Sequence, residues 1–326
     1  MRREARARVT TQTEYSVNGY HSMRNATARN YANSGFIGGN KYFTSDRYVA
    51  LREDATGALV RPDGKPLAGY GLEIESECHG ISNQAALATI LMSHVFDVLP
   101  DGLFKLQSDC TLHGDSTAEC ITQVMTEAFI RNHYAEWKYI YDSAFPRFGV
   151  SCGSSNCGMH VNISNAVFGR NEEQQSEAIK KLFYFIHRNY AFCCVLFNRD
   201  RTRTGYASPV IGADRALSYV RAHNVDSLGV HGDALNTSNY DCGRVELRIV
   251  GGCGSFGAFR NTMECVFWII KRVRALSWRD MDHIVKVFTG CNQYVFDRLT
   301  KCRNEGVLSE DVITAVRPTI VHEDLI

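Results

Sequence analysis

Three short segments of the chain alternate between apolar and ionisable positions with a period of two. In GLEIESE, Glu73, Glu75 and Glu77 alternate with Leu72, Ile74 and Ser76. In CGMHVNIS, His160 and Asn162 alternate with Met159, Val161 and Ile163. In RVELRIV, Arg244, Glu246 and Arg248 alternate with Val245, Leu247 and Ile249. Successive side chains of a strand point to opposite faces, so each segment predicts a strand with one apolar face and one face of charged or amide groups.

Helical periods separate these strands. Ala85, Ala88, Leu91 and Val95 form a stripe over about Asn83 to Val98, with Pro100 just beyond it. Phe129, Ile130, Trp137 and Tyr141 predict a helix over about Met125 to Phe145. Asn171 caps a further helix whose stripe is Ile179, Leu182, Phe183 and Ile186, and Glu172 and Glu173 complement its N-terminal dipole. KLQSDCTL and AECITQV read as strands around the polar loop HGDST, and the last 70 or so residues read as mostly helical. Strands joined partly by hairpins, with helices between, predict an α+β fold: an antiparallel sheet with helices on one face and the other face open. Residues 1–46 carry neither period and are expected to be an N-terminal arm or loosely ordered leader, followed by one domain over 47–326 with a helical C-terminal part.

Composition narrows the classes. With 326 residues and 44% apolar content the chain can bury a large core. Lys plus Arg (36) nearly balance Asp plus Glu (35), so net charge makes no case for nucleic acid. No apolar run approaches the roughly 20 residues that span a bilayer, and the N-terminal MRREARARVTTQ lacks the apolar stretch of a signal peptide. The 12 cysteines, several inside apolar helical patterns, fit reduced thiols in a cytoplasmic protein. The N-terminal arm offers a route to an oligomer.

The polar strand faces suggest metal chemistry. Carboxylates at i and i+2 on one strand repel each other, an arrangement favoured mainly when a cation lies between them. With Asp109, Asp115 and Glu119 of SDCTLHGDSTAE and with His160, they could supply oxygen-rich shells for magnesium ions. The spacing of Cys152, Cys157 and His160 is zinc-like, but no second ligand pair with the usual spacing accompanies it. There is no Walker GxxxxGK[ST] loop, so a nucleotide would be held through metals and arginines.

In order and spacing, GLEIESE, the segment from Asp109 to Glu119, NCGMHVNIS and RVELR resemble the amidoligase family, within the wider group of glutamine synthetase and glutamate–cysteine ligases. NRDRTRTGYASP and ALNTSN agree with this, and the resemblance covers about residues 70–255. It implies a glutamine synthetase-like catalytic fold and an ATP- and Mg2+- (or Mn2+-) dependent ligase that joins a carboxylate to an amine through an acyl phosphate. The substrates would be an amino acid, peptide or protein carrying the carboxylate, with an amine co-substrate. By the same resemblance Glu73, Glu75, Glu119, His160 and Glu246 are metal ligands, aided by Asp109, and Arg248 faces the transferred phosphoryl group with Glu246 beside it. Asn162, Arg201, Arg203 and Asn236 would bind nucleotide or substrate. Asn162 stands where the family has a second histidine, which removes an acid–base group from that position. A carboxylate kinase, and an inactive binding or structural protein that keeps the fold, are the alternatives.

Overall fold

The computed structural model describes residues 40–316 apart from 46, 54–58, 81–86, 88–89, 108–111, 113–115 and 201–205. The chain is mixed α+β, with a mostly antiparallel open sheet and helices. It divides into two compact units. The first comprises residues 1–161 with 252–256, and the second comprises 162–251 with 257–326.

The first unit is built on β5 (Tyr70–Cys78). Before it come β1 (Lys41–Phe43), β2 (Tyr48–Ala50), β3 (Arg52–Glu53) and β4 (Leu59–Val60). After it come β6 (Phe104–Gln107), β7 (Ser116–Thr122), β8 (Val124–Met125), β9 (Val150–Ser151) and the start of β10 (Met159–Ser164). β5 pairs antiparallel with β7 over six residues, β7 pairs with β6, and β9 and β8 pair with opposite ends of β5. β1 joins β8 in parallel and β2 antiparallel. Lys41–Phe43 is therefore a buried strand, which shortens the arm expected over 1–46; residues 1–39 lie outside the described ones.

The apolar face of β5 is used as its alternation predicts: Leu72 and Ile74 are completely buried. The stretch expected as one helix from Met125 to Phe145 is broken into Glu127–Asn132, Tyr134–Tyr139, a π-turn over Ile140–Ala144 and Phe145–Arg147. Thr126 caps its start, accepting from the Phe129 N–H, and Pro146 explains the late break because its ring cannot donate within the helix. Trp137 packs edge-on against Phe104 of β6 at 5.9 Å. Of the helix expected at Asn83–Val98, the described part is α-helical at Leu87 and Ile90 and continues as a π-turn (Leu91–Val95) and a 3-10 turn (Phe96–Val98), with Leu87, Leu91 and Val95 buried.

The second unit holds the end of β10, the antiparallel pair β11 (Leu235–Asn236) and β12 (Arg244–Leu247), and most of the helices. β12 ends at Leu247, so Arg248 lies just past the strand instead of within it, and Arg244 is exposed at the other end. In helix Glu172–Arg188, Ile179, Leu182, Phe183 and Ile186 are fully buried. Phe256–Ala275, Gln293–Asn304 and Glu310–Val316 carry the helical C-terminal part. Buried Arg298 donates to the carbonyls of Leu196 (2.8 Å) and Val195, satisfying the open end of helix Tyr190–Leu196. Among the described residues no helix is long and apolar enough to cross a membrane.

The Asn171 side chain accepts the Gln174 N–H at 2.9 Å. Asn171→Ala leaves that donor without its cap and should lower the unfolding free energy by about 1 kcal/mol. Urea denaturation reads the effect, and an unchanged midpoint would mean that the cap contributes nothing.

Candidate functional site

β5 turns three carboxylates to one face, and two of them are nearly inaccessible: Glu75 is 7% and Glu77 1% exposed, with Glu73 half-buried. The antiparallel register sets Glu119 of β7 directly opposite Glu75. Side chains at such positions share a face with their Cβ atoms about 5 Å apart, and like charges there are destabilising unless something compensates them.

His160, on β10, supplies part of the compensation. Its Nδ1 is 3.2 Å from Glu73 Oε2 and its Nε2 3.6 Å from Glu75 Oε1. The Gly158 N–H donates to the other oxygen of Glu75, and the Gly158 carbonyl accepts the Glu75 N–H at 3.1 Å. A Cβ on residue 158 would stand 3.1 Å from Glu75 Oε2 and 3.4 Å from His160 Nε2, so glycine is what lets the backbone approach this closely. Glu77 is held differently, accepting the Ser154 hydroxyl at 2.8 Å.

In the second unit, Glu246 (5% exposed) and Arg248 (7%) form a buried ion pair. The β11–β12 register sets Asn236 opposite Glu246, and Asn236 Nδ2 donates to Glu246 Oε2 at 2.9 Å. Ser238 fixes the amide in turn, its hydroxyl donating to Asn236 Oδ1 at 2.7 Å. The Arg248 N–H donates to the Ala234 carbonyl at 3.0 Å, and Arg199 Nη1 donates to the Arg248 carbonyl at 3.3 Å. His231 Nδ1 lies 3.5 Å from Arg248 Nη1.

Within the first unit, Glu73 and His160 each offer a ligand atom to a metal ion. No family model and no curated protein matches the chain.

Most of the residues expected from the sequence fall into these arrangements. Glu73, Glu75, Glu119 and His160 occur together, as do Glu246, Arg248 and Asn236. Asn162 is half-buried two residues beyond His160 on β10. Asp109, Arg201 and Arg203 lie outside the described residues. Four contributors went unread: Gly158, Ser154, Arg199 and His231. The glycine-rich SSNCG and the arginine-rich NRDRTRTG marked the neighbourhoods of the first three, but nothing local marked His231.

Cys152 and Cys157 are buried, and Cys157 Sγ is 3.3 Å from Ser154 Oγ. Burial pushes the Cys157 thiol up to about 12, against the opposing hydrogen bond from Ser154, and the Glu77 and Glu75 charges add to the rise. A thiol held there stays protonated at neutral pH and is a poor nucleophile. Iodoacetamide at pH 8 should alkylate exposed Cys242 in the native protein and leave Cys157 untouched until urea is added, as peptide mass spectrometry can establish. Native-state modification of Cys157 would contradict the burial.

The Glu246–Arg248 pair makes a second expectation. Arg248→Met strands a buried carboxylate and should lower stability by about 3 kcal/mol in urea denaturation, whereas Arg248→Met with Glu246→Leu should recover most of that loss. Equal losses in the two variants would mean that the pair is not electrostatically coupled.

Proposed function

We propose that this protein is an ATP- and Mg2+-dependent carboxylate–amine ligase of the amidoligase type, forming an amide or isopeptide bond through an acyl phosphate. The observation that carries the reading is the crowding of carboxylates on β5 and β7: Glu73 and Glu75 share a strand face beside the His160 imidazole, and Glu119 stands opposite Glu75. Carboxylate oxygens with one imidazole suit Mg2+ or Mn2+ better than a thiophilic metal.

Glu73, Glu75, Glu119 and His160 would hold the metal, with Glu246 and Asp109 as the further ligands that the family resemblance implies. When bound, Mg2+ would neutralise phosphate charge. The chain's own cation for the reaction is Arg248, whose guanidinium is aimed by Glu246, itself oriented by Asn236. A fixed guanidinium stabilises charge on a phosphoryl group in flight. A carboxylate oxygen of the acid substrate attacks the γ-phosphorus, and the bond to ADP breaks. The amine then attacks the acyl carbon, phosphate leaves, and the nitrogen loses a proton. Asn162, which cannot transfer a proton, is given a binding role alongside Asn236, Arg201 and Arg203.

The test is thermal stability with ATP and Mg2+, followed by ADP release over a panel of acid and amine pairs. Saturation at 100 times Kd corresponds to about 2.7 kcal/mol of added stability, so a clear rise in Tm is expected, and Glu75→Ala should lose it. Metal-dependent ADP release should accompany an amide product that lacks the elements of water. No response to nucleotide in either protein would sink the proposal. Hydroxamate formation in hydroxylamine, without any amide from the panel, would point to the carboxylate kinase instead.

A further inference from the structure

Glu77 shares the polar face of β5 with Glu73 and Glu75 but is bonded to different groups. Its Oε2 accepts the Ser154 hydroxyl at 2.8 Å, and Ser154 Oγ accepts the Asn156 N–H at 3.2 Å. The Ser154 carbonyl accepts the Cys157 N–H at 3.1 Å, closing a tight turn. Cys157 leads directly into Gly158, whose N–H donates to Glu75 Oε2. On its far side the turn is pinned by the Gly252 N–H, which donates to the Cys157 carbonyl at 3.1 Å. A Cβ at Gly252 would stand 2.1 Å from the Cys152 carbonyl oxygen, so this contact has no slack.

We infer that Glu77 is a positioning residue: through Ser154 it anchors the turn at 152–158 and so aims the Gly158 N–H at Glu75 Oε2, fixing the direction in which that carboxylate faces His160. The inference rests on the proposed cation site for its consequence but not for its geometry. A carboxylate with one oxygen held by a backbone donor presents the other in a fixed direction, as outer-shell partners of metal ligands do elsewhere, where their loss costs 10- to 100-fold in affinity.

Two measurements on the full chain test it. The first is Mn2+ titration followed by electron paramagnetic resonance. Ser154→Ala and Glu77→Ala should each weaken Mn2+ binding about tenfold, and together no more than either alone, because both cut one connection. Glu77→Gln keeps an oxygen to accept the hydroxyl and should stay within about threefold of wild type, whereas Glu75→Gln should lose nearly all binding. A Glu77→Gln variant as damaged as Glu75→Gln would make Glu77 a direct ligand and overturn the inference. The second is hydrogen exchange at the Gly158 amide in metal-free protein, which Ser154→Ala should accelerate about tenfold. Unchanged exchange would refute the anchoring. Wild type that binds no Mn2+ would refute the cation site, and the exchange result would then decide the anchoring by itself.

Discussion

Like charge on a strand face is the constraint from which the first unit follows. Glu73, Glu75 and Glu77 recur every second residue, and the register with β7 adds Glu119 opposite Glu75. Water solvates such groups when they are exposed, but Glu75 and Glu77 are buried, so the fold has to supply their partners. His160 approaches Glu73 and Glu75, a glycine backbone closes on Glu75, and a serine turn covers Glu77. These elements share a purpose that propensity alone would not explain. Gly158 is small so that an N–H can reach a carboxylate, and the turn at 152–158 is tight so that Ser154 can reach another.

The second unit solves a smaller version of the same problem. One buried carboxylate, Glu246, is neutralised by one buried guanidinium, Arg248, and its second oxygen is taken by Asn236. The Ala234 carbonyl and the Arg199 guanidinium then hold the backbone N–H and C=O of Arg248. A guanidinium that cannot wander costs little further ordering when a phosphoryl group arrives, which is the property the proposed ligase chemistry would use.

Much of this was legible in the sequence because alternation is a local signal. The period of two in GLEIESE, CGMHVNIS and RVELR corresponds to β5, β10 and β12, and Asn171 with the stripe from Ile179 to Ile186 marked the longest helix of its region. What escaped depends on pairing between distant residues. The register that opposes Glu119 to Glu75 joins positions 44 residues apart, and the contact of His231 with Arg248 depends on the path of a loop. Neither leaves a periodic trace. Helix breaks were also missed where the apolar stripe continues through them, as at Ile140–Ala144, because a π-turn shifts the spacing without changing the composition. The division into two compact units was not foreseen either: it cuts within β10, where no proline, glycine or charge run announces a boundary.

The acidic face of β5 is proposed to hold a divalent cation. Anomalous diffraction from crystals soaked in Mn2+ addresses it without any assumption about substrate. The account predicts a peak about 2.1 Å from carboxylate oxygens of Glu73 and Glu75. Well-ordered crystals with saturating Mn2+ and no peak at these side chains would contradict it.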